Sequence, residues 1–128
     1  VKSLGLGSRV RLSGFVSEEG LADRYAAADI CLYLSEYEGF GLPALEALSR
    51  GVPLVTSPAP ALLENFGEAS LLADPRDVLG IAAATSRLLG DARLRETQVA
   101  KGRILASGFS WAKTAGATRE ILSGTVAR

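Results

Sequence analysis

Histidine is absent from this chain. That removes histidine metal ligation and histidine acid–base chemistry together. Cysteine occurs once, at Cys31, so no internal disulfide can form. Cys31 sits in the apolar run Ile30-Cys31-Leu32-Tyr33-Leu34 and reads as a small buried hydrophobe. Net charge is missing too: 14 Lys and Arg balance 14 Asp and Glu. The basic residues do not cluster, so a nucleic-acid partner is not expected. No apolar run is long enough to cross a bilayer, and no secretory signal is visible. A cytoplasmic location is the expectation. Asp23, Asp29, Asp74 and Asp77 are scattered and read as caps, turns and solvated faces, so no metal site is expected. An initiating Met is also lacking. The chain opens at Val1 in mid-pattern, as a piece of a longer chain would.

What is present is a domain-sized chain of 128 residues, rich in Ala, Leu, Gly and Val. Short β-rich runs alternate with helical patterns, which predicts an α/β fold, a parallel sheet with flanking helices. The predicted strands are Arg9–Phe15, Ile30–Leu34, Pro53–Ser57 and Ser70–Ala73. The second is almost unbroken apolar sequence, as expected of a strand covered on both faces. Ser17 is a plausible N-cap for a helix through Ala28. A helix from Leu42 to Arg50 should stop at Gly51. Ala61–Phe66 gives a short helix. Three more follow, over Arg76–Leu89, Ala92–Ala106 and Trp111–Ala127.

The most informative stretch is Glu38-Gly39-Phe40-Gly41-Leu42-Pro43-Ala44-Leu45-Glu46. Two carboxylates stand eight positions apart, with a Gly-rich turn and a helix start between them. Gly39 and Gly41 let the backbone turn and approach a ligand closely. Pro43 suits a first helical turn. Free N–H groups at that helix start, backed by the helix dipole, make an anion site. Glu46 lies about one turn in and leans back toward the rim. Amides for an anion, with acceptor carboxylates on either side, would suit a nucleotide sugar.

This stretch resembles the E-x7-E signature of retaining GT-B glycosyltransferases, specifically glycosyltransferase family 4, the glycosyl transferases group 1 domain. Further landmarks occur in the family's order. They are Arg9–Val16, Tyr25–Ile30 with Ser35, Glu46-Ala47, Gly51–Val55, Leu63-Glu64, Ala73–Pro75 and Phe109–Trp111. Together they cover nearly the whole chain.

The resemblance implies the C-terminal, donor-binding, Rossmann-like domain of a GT-B enzyme, with residues 1–128 forming part of that domain. Its first two strands, with the Arg and Lys that grip the donor diphosphate, would be lacking, as would the acceptor domain. The implied reaction moves a sugar from a nucleotide-diphosphate sugar to a hydroxyl acceptor, with no cofactor and no protein-bound metal. The fragment alone would not turn over. Glu46 would accept hydrogen bonds from the ribose hydroxyls, because an ionised carboxylate offers only acceptors. In isolation it would be an ordinary helix-face acid, worth at most about 1 kcal/mol against the dipole. Glu38 would lie near the transferred sugar and leaving phosphate; otherwise it is a solvated loop charge. Gly39, Phe40, Gly41 and Leu42 would present backbone amides to the diphosphate and sugar, or simply form a loop-to-helix turn with Phe40 packed beneath. Gly14, Phe15 and Val16, at a strand end, would hold the base, or be a plain strand end. Trp111 should anchor the last helix by burial. Two rivals remain: a GT-B relative such as a nucleotide-sugar epimerase, and a non-catalytic nucleotide-binding or assembly module. The lacking strands would leave edges open. Either Arg9–Phe15 pairs directly with Ile30–Leu34, or a homodimer forms through those edges, the dimer being preferred.

Overall fold

A computed structural model describes residues 1–126. Helix α1 spans Glu18–Ala27, and strand β1 spans Cys31–Tyr33. Helix α2 (Leu42–Ser49), strand β2 (Leu54–Thr56), helix α3 (Pro60–Phe66) and strand β3 (Ser70–Leu72) follow. Helices α4 (Val78–Gly90), α5 (Ala92–Ser107) and α6 (Trp111–Val126) complete the order. The expected last residue of α6, Ala127, lies outside the described residues.

The three strands form one parallel sheet in the order β1-β2-β3. Leu32, Val55 and Leu71 stand in register, so they share a face. Cys31 and Leu54 share the other. On the Leu54 face, Ala44 and Leu48 of α2, Leu62 and Phe66 of α3, and Leu105 and Ala106 of α5 pack into one cluster. On the Val55 face, Ala73, Ile81, Ala84, Leu88 and Leu94 pack into a second. Leu48, Leu54, Leu62 and Phe66 are fully buried, and such burial stabilises by about 1.5–3 kcal/mol each. Helix α5 contributes to both clusters. Its Gly102 lies against α2: a Cβ there would come within 2.8 Å of Leu48 Cδ2.

Local signals hold where the sequence placed them. Ser17 caps α1, its hydroxyl accepting from Gly20 N at 3.2 Å. Asp77 caps α4 in the same way, and Asp91, which was not read as a cap from the sequence, caps α5. Gly51 follows α2 with φ 75°, as a helix stop requires.

Arg9–Phe15 is a correction: it forms no strand. The N–H groups of Arg9 and Val10 turn back to the Leu6 carbonyl instead. Val10, Leu12 and Phe15 are all exposed, Phe15 to 98%. A strand's hydrogen bonds come from a neighbour, and alternation in sequence cannot supply one. Direct pairing with Ile30–Leu34 does not occur either: among the described residues β1 pairs with β2 alone.

Candidate functional site

The C-terminal ends of the three strands open onto a cleft of about 280 Å³. Ser35, Glu36, Ser57, Pro58, Asp74 and Arg76 are among its lining. Arg76 Nε meets Glu36 Oε1 at 2.7 Å, joining the loops that follow β1 and β3. The guanidinium holds Glu36 below the usual carboxylate range. This is where open parallel sheets bind ligands.

Glu38 sits in the loop after β1, partly buried. Its Oε1 accepts from the Tyr33 hydroxyl at 2.5 Å and from Ser35 Oγ at 2.7 Å. Those two donors, Tyr33 first, hold its carboxyl below the usual range. The Tyr33 phenol is pushed up to about 12, first by burial and then by Glu38. It therefore remains a donor at neutral pH.

The turn before α2 rests on Gly41, which has φ 101°. A Cβ at Gly41 would lie 2.5 Å from Leu62 Cδ2 and 3.1 Å from Phe66 Cε2. Conformation and space both demand glycine there. Gly39 is different: it is exposed, and a Cβ would meet nothing within 4 Å. Internal packing does not explain the glycine at that position. The N–H groups of Gly39, Phe40, Gly41 and Leu42 donate to no group among the described residues. The Gly41 carbonyl accepts from Ala44 and Leu45, so the helix starts in order behind them.

Glu46 lies one turn into α2, half-buried, and faces Tyr25 of α1. Tyr25 donates to the Pro43 carbonyl at 3.2 Å, and Arg50 lies 5.1 Å over its ring. Burial and then the Glu46 charge push the Tyr25 phenol up to about 12. Tyr25 and Tyr33 were not singled out as site residues from the sequence. The pairing of Tyr33 with Glu38 crosses a loop, and a local pattern does not show it.

Phe40 packs beneath the turn, edge-on to Phe66 at 5.7 Å and to Phe109 at 5.4 Å. Gly14, Phe15 and Val16 are a correction to the expected strand end. They lie in coil, and no hydrogen bond or ring contact joins them to Glu38, Glu46 or the Gly39–Leu42 turn among the described residues. Trp111 is corrected as well: it is 80% exposed. Phe109 anchors the chain here through Phe40, and Ser110 Oγ caps α6 at Lys113 N. The indole instead borders an apolar groove of about 520 Å³ shared with Phe40, Leu42, Leu45 and Phe109. Cys31 packs against the core, and burial pushes its thiol up. Among the described residues, no three Cys, Asp or Glu side chains are grouped to hold a metal ion, and no helix is long and apolar enough to cross a membrane.

Known proteins are similar to this chain in sequence or in fold. O-antigen chain mannosyltransferase B of Escherichia coli is 48% identical over 102 residues, which are 80% of this chain and 27% of that protein. Sucrose-phosphate synthase from Thermosynechococcus elongatus superposes at a TM-score of 0.88 with 32% identity, covering 98% of this chain and 32% of that one. The C-terminal domain of a glycosyl transferase group 1 family protein from Francisella tularensis superposes at 0.73 with 31% identity, covering 84% of this chain and 56% of that structure. The chain thus spans under a third of the first two proteins. The fold is the expected Rossmann-like α/β arrangement of GT-B glycosyltransferases. The family model described as glycosyl transferases group 1 matches residues 1–91, and the chain belongs to that family.

Proposed function

We propose that this chain is the donor-binding part of a retaining glycosyltransferase, within the C-terminal domain of a GT-B enzyme of glycosyltransferase family 4. The donor is a nucleotide-diphosphate sugar and the acceptor a hydroxyl, with no cofactor and no protein-bound metal in the assignment. In the reaction the bond from the anomeric carbon to the leaving phosphate breaks. A bond to the acceptor oxygen forms, and the acceptor proton passes to the departing diphosphate. Glu46 accepts from the ribose hydroxyls, and the amides from Gly39 to Leu42 face the diphosphate. Glu38 lies beside the transferred sugar. Cytoplasmic placement and a dimer through the open edge of β1 belong to the same reading.

The observation that carries it is the Gly39–Leu42 turn. Four consecutive amides without partners among the described residues stand between Glu38 and Glu46, at the start of a well-formed helix. Oriented amides at a helix start suit a diphosphate. Gly39, open on its side-chain side, leaves room for one to approach. The mannosyltransferase and sucrose-phosphate synthase likenesses support the reaction class.

Titration of nucleoside diphosphates and their sugars into wild-type and Glu46→Gln protein tests the reading. Removing a charged hydrogen-bond partner should weaken both ligands by about 1.5–3 kcal/mol. Unchanged affinity in the variant would sink the Glu46 assignment. A wild-type chain that binds nucleoside diphosphate but transfers no sugar in its full-length context would favour a non-catalytic module.

A further inference from the structure

The Glu38 carboxylate is gripped by one oxygen. Tyr33 and Ser35 both donate to Oε1, at 2.5 and 2.7 Å. Oε2 has no protein partner among the described residues. A second layer stands behind these donors. Thr56 Oγ1 donates to the Tyr33 carbonyl at 2.8 Å, and Ser57 Oγ donates to the Ser35 carbonyl. Thr56 and Ser57 are 0% and 1% exposed, so the neighbouring strand sets them rigidly. The Tyr33 ring also borders the helix start: a Cβ on Gly41 would lie 3.5 Å from its Cε1. One side chain therefore touches both the carboxylate and the turn that precedes α2.

We propose that Tyr33 is a positioning residue, which with Ser35, braced by Thr56 of β2 and by Ser57 just after it, fixes Glu38 so that Oε2 faces the bound donor's sugar. This rests on the donor-binding reading. A loop glutamate left free has several rotamers, and ordering it on binding costs affinity. Two hydroxyl donors on one oxygen remove that cost beforehand and favour the ionised form. Tyr33 is the titratable group against this carboxylate. Leu62 and Phe66 of α3, which line the same turn, carry no charge, and nearby Glu36 is engaged by Arg76.

The test compares wild type with Tyr33→Phe, Ser57→Ala and Glu38→Gln. Tyr33→Phe keeps the ring against Gly41, so melting temperature should hold. Carboxyl-carbon NMR of Glu38, without ligand, should show its acid midpoint rising toward the ordinary value in Tyr33→Phe. Calorimetry then uses UDP-glucose, GDP-mannose, ADP-glucose and the matching diphosphates. Tyr33→Phe should lose about tenfold for the preferred nucleotide sugar and keep its affinity for the diphosphate. The acid limb of sugar binding should move to higher pH, and Glu38→Gln combined with Tyr33→Phe should lose no more than Glu38→Gln alone. Ser57→Ala should show the same pattern, weaker. An unmoved Glu38 titration, or equal losses for sugar and diphosphate, would overturn the proposal. Wild type that binds neither ligand counts against the donor reading and takes the proposal with it. Wild-type binding with an unaltered Tyr33→Phe counts against Tyr33 alone.

Discussion

Two parts of this chain are held in opposite ways. From β1 to β3, Leu54, Val55, Leu62 and Phe66 are sealed from solvent. Before β1, no side chain of residues 1–27 is fully buried. Helix α1 forms there all the same, because a helix satisfies its backbone internally and Ser17 supplies its cap. The strand expected beside it does not form, because a strand depends on a neighbour. Polar and aromatic contacts tie the first part to the second: Tyr25 donates to the Pro43 carbonyl, and Arg50 lies over the Tyr25 ring.

That contrast can be broken by truncation. Phe66→Ala should produce the largest effect, about 3–5 kcal/mol of lost stability, seen as a lower urea midpoint. Gly41→Ala comes next. The new Cβ meets Leu62 and Phe66, and φ 101° is poor for alanine. A loss of about 1–3 kcal/mol is expected, together with weaker nucleotide-sugar binding from a displaced turn. The smallest effect belongs to the first part. Phe15→Ala should stay within about 0.5 kcal/mol, since the ring is 98% exposed. Phe15 and Phe66 are the same residue type, so their difference measures location alone. A Phe15→Ala loss near that of Phe66→Ala would erase the distinction.

The geometry of the Glu38–Glu46 segment was more legible than the sheet edge. Glu38, Gly41 and Glu46 stand in one short segment whose geometry is local, and the helix starts where Pro43 indicates. The three strands that form were visible as apolar runs, though each proved shorter by a residue or two. Arg9–Phe15 failed because Val10 and Leu12 alternate like a strand without a partner to satisfy them. Trp111 failed for a related reason: apolar character favours burial, yet Phe109 two residues earlier already fills the place beside Phe40. The Tyr33–Glu38 contact depends on how a loop folds back over its own strand. Its bracing by Thr56 and Ser57 depends on strand neighbours more than twenty residues away.

Helix α5 lies beyond the residues matched by the family model, yet it touches both sides of the sheet. Leu94 near its start joins one cluster, and Leu105 and Ala106 near its end join the other. Gly102 lets its middle press on Leu48. The two layers therefore cannot melt independently. Losing α5 opens both at once, so the strands and the Gly41 turn should unfold in a single cooperative step and share one hydrogen-exchange protection free energy.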